Sequence, residues 1–476
     1  MIPICVDLDG TLLRTDLLFE SFARLARQKP WLVLLVPFWA LSGRAALKRR
    51  IASQISLDVS TLPYNSDLLE WLHKQKSLGR RLVLVTAADE ILAGQVAAHL
   101  GIFDEVMASD GRSNLKGAVK AEAIRRQVSE RFDYAGNARA DLPVWRQCET
   151  AIVVGPHWLV KRLHRPADRV ILFERPGRHW RDYVAALRVH QWAKNVLGYA
   201  PLITSHELFH FGLVWRCTVA MGLFSLCSSA QYMINDLLDL DSDRRHPTKR
   251  LRPFASGNLP LQAGMLLAPA LLLAAFAGAW ALDRNFALTV AGYTAAALAY
   301  SLYFKKAVLL DVFVLSGLLL LRVIAGQLVT GVVYSVWLLS FGFFLLLSLG
   351  FSKRCTELST ARSDTESLAG RGYQLADLSQ VNAFGVCSAF LAAVVFMLYL
   401  QSDRVRELYR SPELLWLLSP LFLYWITRVW ILSSRGLVHE DPVMFVLKDR
   451  PTWWVACLSA LIMALAGAKS WSGHTP

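Results

Sequence analysis

The chain has 476 residues, of which 54% are hydrophobic and 18% charged, with 16 Trp, 23 Phe and a net charge of +14. So apolar a composition excludes an ordinary soluble protein and points to a membrane protein. The positive charge shows no basic stripe interleaved with aromatics, so no nucleic-acid partner is expected, and cytosolic loops facing anionic lipid explain it better. Seven Cys without paired spacing, several inside apolar runs (Cys217, Cys227, Cys387, Cys457), fit neither a disulfide framework nor a zinc site.

Residues 1 to about 185 read as a soluble mixture. The start, "MIPICVDLDGTLL", has acids by position 7 and neither a basic lead nor a cleavage site, so no signal peptide is expected and the first domain should stay in the cytosol. "ICVDLDGTLL" is an apolar strand running into Asp7, Asp9, Gly10 and Thr11. Residues 16 to about 75 are helical in pattern. Within them "PWLVLLVPFWAL" (30–41) is too short to span a bilayer; it should bury in the membrane surface or form an apolar core. "RLVLVTAAD" (81–89) is a second strand, holding Thr86. "SNLKGAVK" (113–120) offers Lys116 or Lys120, and "YAGNARADLPVW" (134–145) brings Asp141. Strands alternating with helices imply a doubly wound parallel sheet.

The strand ending in DxDGT resembles the first motif of haloacid dehalogenase-type phosphatases, and the resemblance extends over residues 1 to about 160. It implies that Asp7 attacks phosphorus, that Asp9 protonates the leaving oxygen and then activates water, and that Thr11, Thr86 and one of the lysines hold phosphate oxygens. Asp7, Asp9 through its carbonyl, and Asp141 would bind Mg²⁺, under a helical cap at about 16–75. The family's fourth motif has Asp where this chain has Asn137, so the phosphatase is either active or a retained scaffold. The expected limits are 1–165 for this domain, 166–186 for a linker and 187–476 for a membrane domain.

Eight later runs approach or reach the length needed to cross about 30 Å of hydrocarbon: 209–234, 261–282, 286–304, 308–332, 336–352, 379–400, 412–432 and 452–471. A ninth, "QWAKNVLGYAPLITS" (191–205), is weak by hydropathy. Counting it places the charged loops 235–258, 304–306, 352–362 and 435–450 in the cytosol, as the Lys/Arg bias requires, with loop 402–411 as the exception. Nine transmembrane helices are therefore expected.

"NDLLDLDSDRRHPTKRLRPFASG" (235–257) leaves the membrane with Asp236, Asp239 and Asp243 three and four residues apart, which stacks them beside Asn235 on one helical face. Like charges so placed are tolerable with a divalent cation between them, and hard oxygen ligands suit Mg²⁺ that also holds a diphosphate. Arg244, Arg245, Lys249, Arg250 and Arg252 would then face phosphate oxygens. The alternative is a solvated loop that merely anchors topology. Arg322 lies inside an apolar run, where an unpaired cation costs about 2.5–3.5 kcal/mol on insertion scales. It should face a polar cavity, or else be snorkelling or paired for structure alone.

This motif, with "LRVHQWAKNVLGYAPL" (187–202), "YSLYFKKAVLLDVFVLSGLLLLRVIAG" (300–326) and "GFSKRCTEL" (350–358), resembles the UbiA superfamily of membrane prenyltransferases. Within it the likeness is to the polyprenyl-phosphate phosphoribosyltransferases, the decaprenylphosphoryl-5-phosphoribose synthase type. The resemblance covers about 187–471. It implies that a polyprenyl monophosphate attacks C1 of phosphoribosyl pyrophosphate and Mg-bound pyrophosphate leaves. Asp236, Asp239 and Asp243, with Asn235, would hold Mg²⁺ and the diphosphate; Lys249, Arg250 and Arg252 the donor's phosphates; Lys194, Lys305, Arg322, Lys353 and Arg354 the lipid phosphate or the donor. Tyr300 and Asp311 fit packing or hydrogen bonding equally well. The usual second Asp-rich motif is missing: Lys353, Arg354 and Glu357 stand there, as suits a monophosphate acceptor. The fusion suggests a relay in which the N-terminal domain removes the 5-phosphate of the lipid-linked product.

The rivals are a conventional prenyltransferase with a prenyl diphosphate donor and, in another class, a transporter or flippase, against which no internal repeat is found. The expected setting is multi-pass in the cytoplasmic (inner) membrane, both active sites cytosolic, with membrane lipids as surroundings, one Mg²⁺ per domain and homo-oligomerisation left open.

Overall fold

The computed structural model describes residues 1–111, 115–163, 165–175, 179–333, 335–359, 372–438 and 442–467. The expected loops 352–362 and 435–450 lie partly outside them, as do the end of the 452–471 run and part of "SNLKGAVK". The chain forms two compact units, Met1–Leu187 with Tyr232–Ala268, and Arg188–Gln231 with Pro269–Pro476. The first unit thus takes in the Asp-rich segment.

Six parallel strands make the sheet of the first unit: β1 (Ile4–Val6), β2 (Leu82–Asp89), β3 (Glu105–Ser109), β4 (Asp133–Gly136), β5 (Ala151–Gly155) and β6 (Val170–Glu174), in the order β3-β2-β1-β4-β5-β6. Successive side chains of a strand point to opposite faces. Ile4 and Val6 accordingly join one buried cluster with Leu82, Leu84 and Ile152, while Cys5 joins another with Val83, Tyr134 and Trp145. A sheet covered on both faces needs near-continuous apolar strands, and β1 is buried at every position. β6 lies in the stretch expected as a linker, so 166–186 is partly sheet.

Between β1 and β2 the chain is helical, as expected of a cap. Helix α1 (Leu17–Gln28) starts at Asp16, whose carboxylate accepts from the Leu18 amide as an N-cap. Residues 30–41 form a 3-10 turn (Pro30–Leu35) and a short helix (Val36–Ala40) with no buried residue; Trp31, Leu34, Phe38 and Leu41 are exposed. This sets aside the apolar-core alternative.

In the described residues six helices are long and apolar enough to cross a membrane: Phe211–Leu238, Leu261–Leu282, Leu310–Thr330, Val336–Ser359, Leu375–Leu400 and Pro412–Ser434. Of the other three expected crossings, Arg284–Leu302 is helical over 19 residues and Arg450–Ala466 over 17. The 191–205 run is not one α-helix but a 3-10 stretch, Val189–Tyr199, followed by the short helix Ala200–Thr204. Its departure from α geometry accompanies a close approach: a Cβ on Gly326 would lie 1.9 Å from the Gly198 carbonyl oxygen. The apolar core of the second unit gathers Leu202, Phe224, Ala275, Val290 and Ala325.

Candidate functional sites

The sheet's carboxyl end carries the first constellation, where an open α/β sheet binds ligands. Asp7 follows β1 and is 7% exposed. Its Oδ1 accepts from Lys120 Nζ at 2.6 Å and its Oδ2 from the Thr11 hydroxyl at 3.3 Å. Lys120 also donates to the Tyr134 hydroxyl (3.0 Å), which donates to Asp141 Oδ1 (2.9 Å). Asp141 Oδ2 is held by the Asn137 and Ala138 amides at 3.1 and 3.0 Å. Of the two candidate lysines, Lys120 is therefore at the nucleophile and Lys116 is an exposed residue away from it. Thr86 is buried, its hydroxyl accepting from the Ala88 amide. Asn137, where an acid was expected, lies on the DxDG turn. Gly10 has φ +75°, and a Cβ there would come within 2.1 Å of Asn137 Nδ2.

Asp9 Oδ1 accepts from the Leu17 amide at 2.9 Å. Burial, then the charges of Asp16 and Asp7, push its carboxyl up to about 8, the direction a general acid requires. Burial raises Asp141 too, with Asp7 adding to it. Burial opposes the charge on Lys120, but Asp7 and Asp141 outweigh it and its affinity for the proton is raised. The charge of Asp7 raises both Asp9 and Asp141, which favours a cation among them, and Asp7 and Asp141 with a main-chain carbonyl are the oxygen donors that would hold Mg²⁺. Sequence reasoning missed Tyr134, which joins Lys120 to Asp141, because an aromatic in a strand carries no spacing signal. It also missed Asp16, which is visible only once β1 and α1 are adjacent.

The Asp-rich segment, also in the first unit, begins at the end of the Phe211–Leu238 helix. Hydrogen bonds donated by the Asp239 amide to the Asn235 carbonyl and by the Asp243 amide to the Asp239 carbonyl carry helical spacing across a break into the helix Leu240–Arg245. Asp236 and Asp243 are buried, while Asn235 and Asp239 are half-buried. Arg252 Nη1 lies 3.1 Å from Asp236 Oδ1 and 2.6 Å from Asp243 Oδ2. Two carboxylates thus converge on one guanidinium, so Arg252, expected as a contact of the donor's phosphates, is paired with acids in this structure. Burial raises the pKa of Asp243 despite Arg252. The basic residues divide. Lys249 is half-buried and Arg250 exposed on a 3-10 turn, as phosphate ligands would be. Arg244 and Arg245 instead pair with Glu20 and Asp58, which corrects their expected place among the phosphate contacts.

In the second unit Arg322 is 3% exposed. It donates to Asn195 Oδ1 (2.8 Å), the Leu318 carbonyl (2.6 Å) and, at 3.5 and 3.4 Å, to the hydroxyls of Ser228 and Tyr293, with the rings of Phe224 and Tyr293 5.1 and 5.2 Å away. Each of these partners is neutral. Lys194 is buried, on the 3-10 stretch that supplies Asn195, and Lys305 and Lys353 are half-buried. Arg354 differs. Its Nε meets Asp311 Oδ2 and its Nη1 meets Glu357 Oε2, both at 2.6 Å, and Tyr373 donates to Asp311 Oδ1 at 2.7 Å. It is thus paired with two carboxylates, Asp311 serving that pair, while its Nη2 is buried with no hydrogen-bond partner among the described residues.

The profile of the UbiA prenyltransferase family matches residues 197–440, and that of haloacid dehalogenase-like hydrolases matches residues 4–146. The chain belongs to the UbiA prenyltransferase family. It is an integral membrane enzyme of that superfamily, carrying an N-terminal hydrolase-like domain of the haloacid dehalogenase type. It is 36% identical to the uncharacterized protein y4nM of Sinorhizobium fredii over 98% of this chain and 91% of that one. It is 32% identical to the nodulation protein NoeC of Azorhizobium caulinodans over 60% of this chain and 92% of that one. The decaprenyl-phosphate phosphoribosyltransferase of Mycolicibacterium smegmatis is 30% identical, over 59% of this chain and 92% of its own length. Among solved structures, a UbiA homolog from Archaeoglobus fulgidus bound to DMAPP and Mg2+ aligns with a TM-score of 0.45 at 17% identity, over 60% of this chain and 97% of that one.

Proposed function

We propose that the membrane half transfers 5-phosphoribose from phosphoribosyl pyrophosphate to a polyprenyl monophosphate, releasing pyrophosphate, and that the hydrolase half then removes the 5-phosphate. The observation that carries the reading is Arg322: a buried cation among apolar helices whose partners are all neutral is suited to an anion from the lipid. The phosphoribosyltransferase relatives, aligned over most of their length in the Mycolicibacterium case, support the same substrates.

In the transferase, Asp236 and Asp243, with Asp239, would hold Mg²⁺, which supplies the charge that stabilises a departing diphosphate. Lys249 and Arg250 bind phosphate oxygens of the donor; Lys194 and Arg322 orient the lipid phosphate, which is already ionised and needs no base. In the hydrolase, the Asp7 carboxylate attacks phosphorus and becomes an aspartyl phosphate, Lys120 and Thr11 steady the phosphoryl oxygens, and Asp9 protonates the departing sugar oxygen. Asp9, now ionised, takes a proton from the water that releases orthophosphate. Asp7 and Asp141 would hold that site's Mg²⁺.

The reading puts the 235–258 loop and both sites on the cytosolic side of an inner membrane, with the exposed 30–41 stretch resting in the bilayer surface. The chain passes nine times if Arg284–Leu302, Arg450–Ala466 and the 189–204 stretch complete the six spans. The test is pyrophosphate release from phosphoribosyl pyrophosphate, with and without polyprenyl monophosphate, in wild type and Asp236→Asn. Lipid-dependent release that is lost in the variant is expected. Absence of any lipid-dependent release would overturn the reading in favour of a conventional prenyltransferase.

A further inference from the structure

The Asp-rich segment is fastened to the hydrolase cap by more than one contact, all inside the first unit. Glu20, on the buried side of α1, is 2% exposed and takes both terminal nitrogens of Arg244, at 3.1 and 2.5 Å. Arg244 Nε also donates to the Ala255 carbonyl at 3.0 Å, so one guanidinium ties the middle of the segment to its end. One helical turn beyond Glu20, Arg24 pairs with Asp241, which also accepts from the Thr61 hydroxyl at 3.3 Å. Arg245 pairs with Asp58. Arg175 Nη2 bridges the carbonyls of Arg14 (3.0 Å) and Gly257 (2.8 Å). Gly257 has φ +76° and lies so near Arg14 that a Cβ there would come within 2.8 Å of it.

These contacts flank Asp243, with Asp241 before it and Arg244 after it. Asp243 immediately precedes Arg244, and Arg252, which it shares with Asp236, lies between Arg244 and Ala255. A bidentate guanidinium–carboxylate pair fixes direction as well as distance, and removing one partner leaves a buried charge uncompensated. The same helix touches the hydrolase chemistry at its first residue, where the Leu17 amide donates to Asp9.

We propose that Glu20 is a positioning residue for the Asp-rich segment: through Arg244 it sets the place of Asp243, and the hydrolase cap is thereby a structural part of the transferase's metal–diphosphate site. The second readout below rests on the transferase reading; the first does not.

In the full-length protein in detergent or nanodiscs, amide hydrogen exchange is followed in peptides from 236–257 for wild type, Glu20→Gln, Glu20→Arg and the double reversal Glu20→Arg/Arg244→Glu. Peptides from β1 and β2 report that each variant is folded. Exchange in 236–257 is expected to quicken at least about tenfold in Glu20→Arg and to return to within about threefold of wild type in the double reversal, because the pair is restored with its sign exchanged. For pyrophosphate release, Glu20→Gln should raise the Mg²⁺ concentration for half-maximal rate about fivefold or more while hydrolysis of p-nitrophenyl phosphate stays measurable. Unchanged exchange in both single variants, or no recovery in the double, overturns the proposal. If the wild type releases no pyrophosphate, the transferase reading falls, while the exchange result still decides whether Glu20 holds the segment.

Discussion

Two arginines buried in the membrane half show how alike residues take different work. Arg322 has neutral partners and Arg354 two carboxylates. Replacing Arg322 by Gln should lower lipid-dependent pyrophosphate release about 100-fold or more, and by Lys about tenfold, since Lys keeps the charge but loses the planar fork. Arg354→Met should act on stability instead, costing about 3–5 kcal/mol by stranding Asp311, to be read by thermal unfolding in detergent. In the hydrolase, Lys120→Ala should cut p-nitrophenyl phosphate turnover about 100-fold and Lys116→Ala less than about threefold. Arg322 was legible from sequence because a charge inside an apolar run is conspicuous. Arg354 was legible as a charge but not as a pair, because its partner Asp311 lies 43 positions earlier on another helix. The choice between Lys116 and Lys120 turned on which one the turn before Ala118–Gln127 brings to Asp7, and local pattern carries no such information.

At the scale of elements, periodicity was read correctly where local rules decide: the strand into DxDGT, the helical pattern from residue 16, the six long apolar helices. They failed at 191–205, where the close approach of Gly198 to Gly326 accompanies a 3-10 path. They could not choose between surface and core for 30–41. With Trp31, Leu34 and Phe38 exposed, the proposed resting place of that stretch is the acyl–headgroup boundary. A nitroxide at Leu34→Cys or Phe38→Cys, in nanodiscs of anionic lipid, should collide more often with oxygen than with a water-soluble nickel chelate. The reverse preference would put the stretch in water.

At the scale of the molecule, the two halves should act in order. With both substrates, orthophosphate should appear only after pyrophosphate, and Asp7→Asn should release pyrophosphate alone and accumulate the phosphorylated lipid. Orthophosphate from that variant would separate the hydrolase from the pathway. Chelating Mg²⁺ with EDTA should stop both releases, and restoring it should recover them. Composition made the two-domain plan legible. It could not show that the compact unit around the sheet includes residues 232–268, since the contact that reveals this joins positions 224 apart.

That discontinuity bears on how the protein is made. A chain emerging from the ribosome has its sheet and cap in hand by Leu187, yet Glu20 lacks its bidentate partner until Arg244, beyond the apolar Phe211–Leu238 helix, has been synthesised. Domains usually fold as they emerge, N-terminal first. Here the last folding step of the sheet unit waits on the chain beyond the first long apolar helix, so a nascent chain that misses its insertion carries a visible defect in its N-terminal half, open to the proteases that police it.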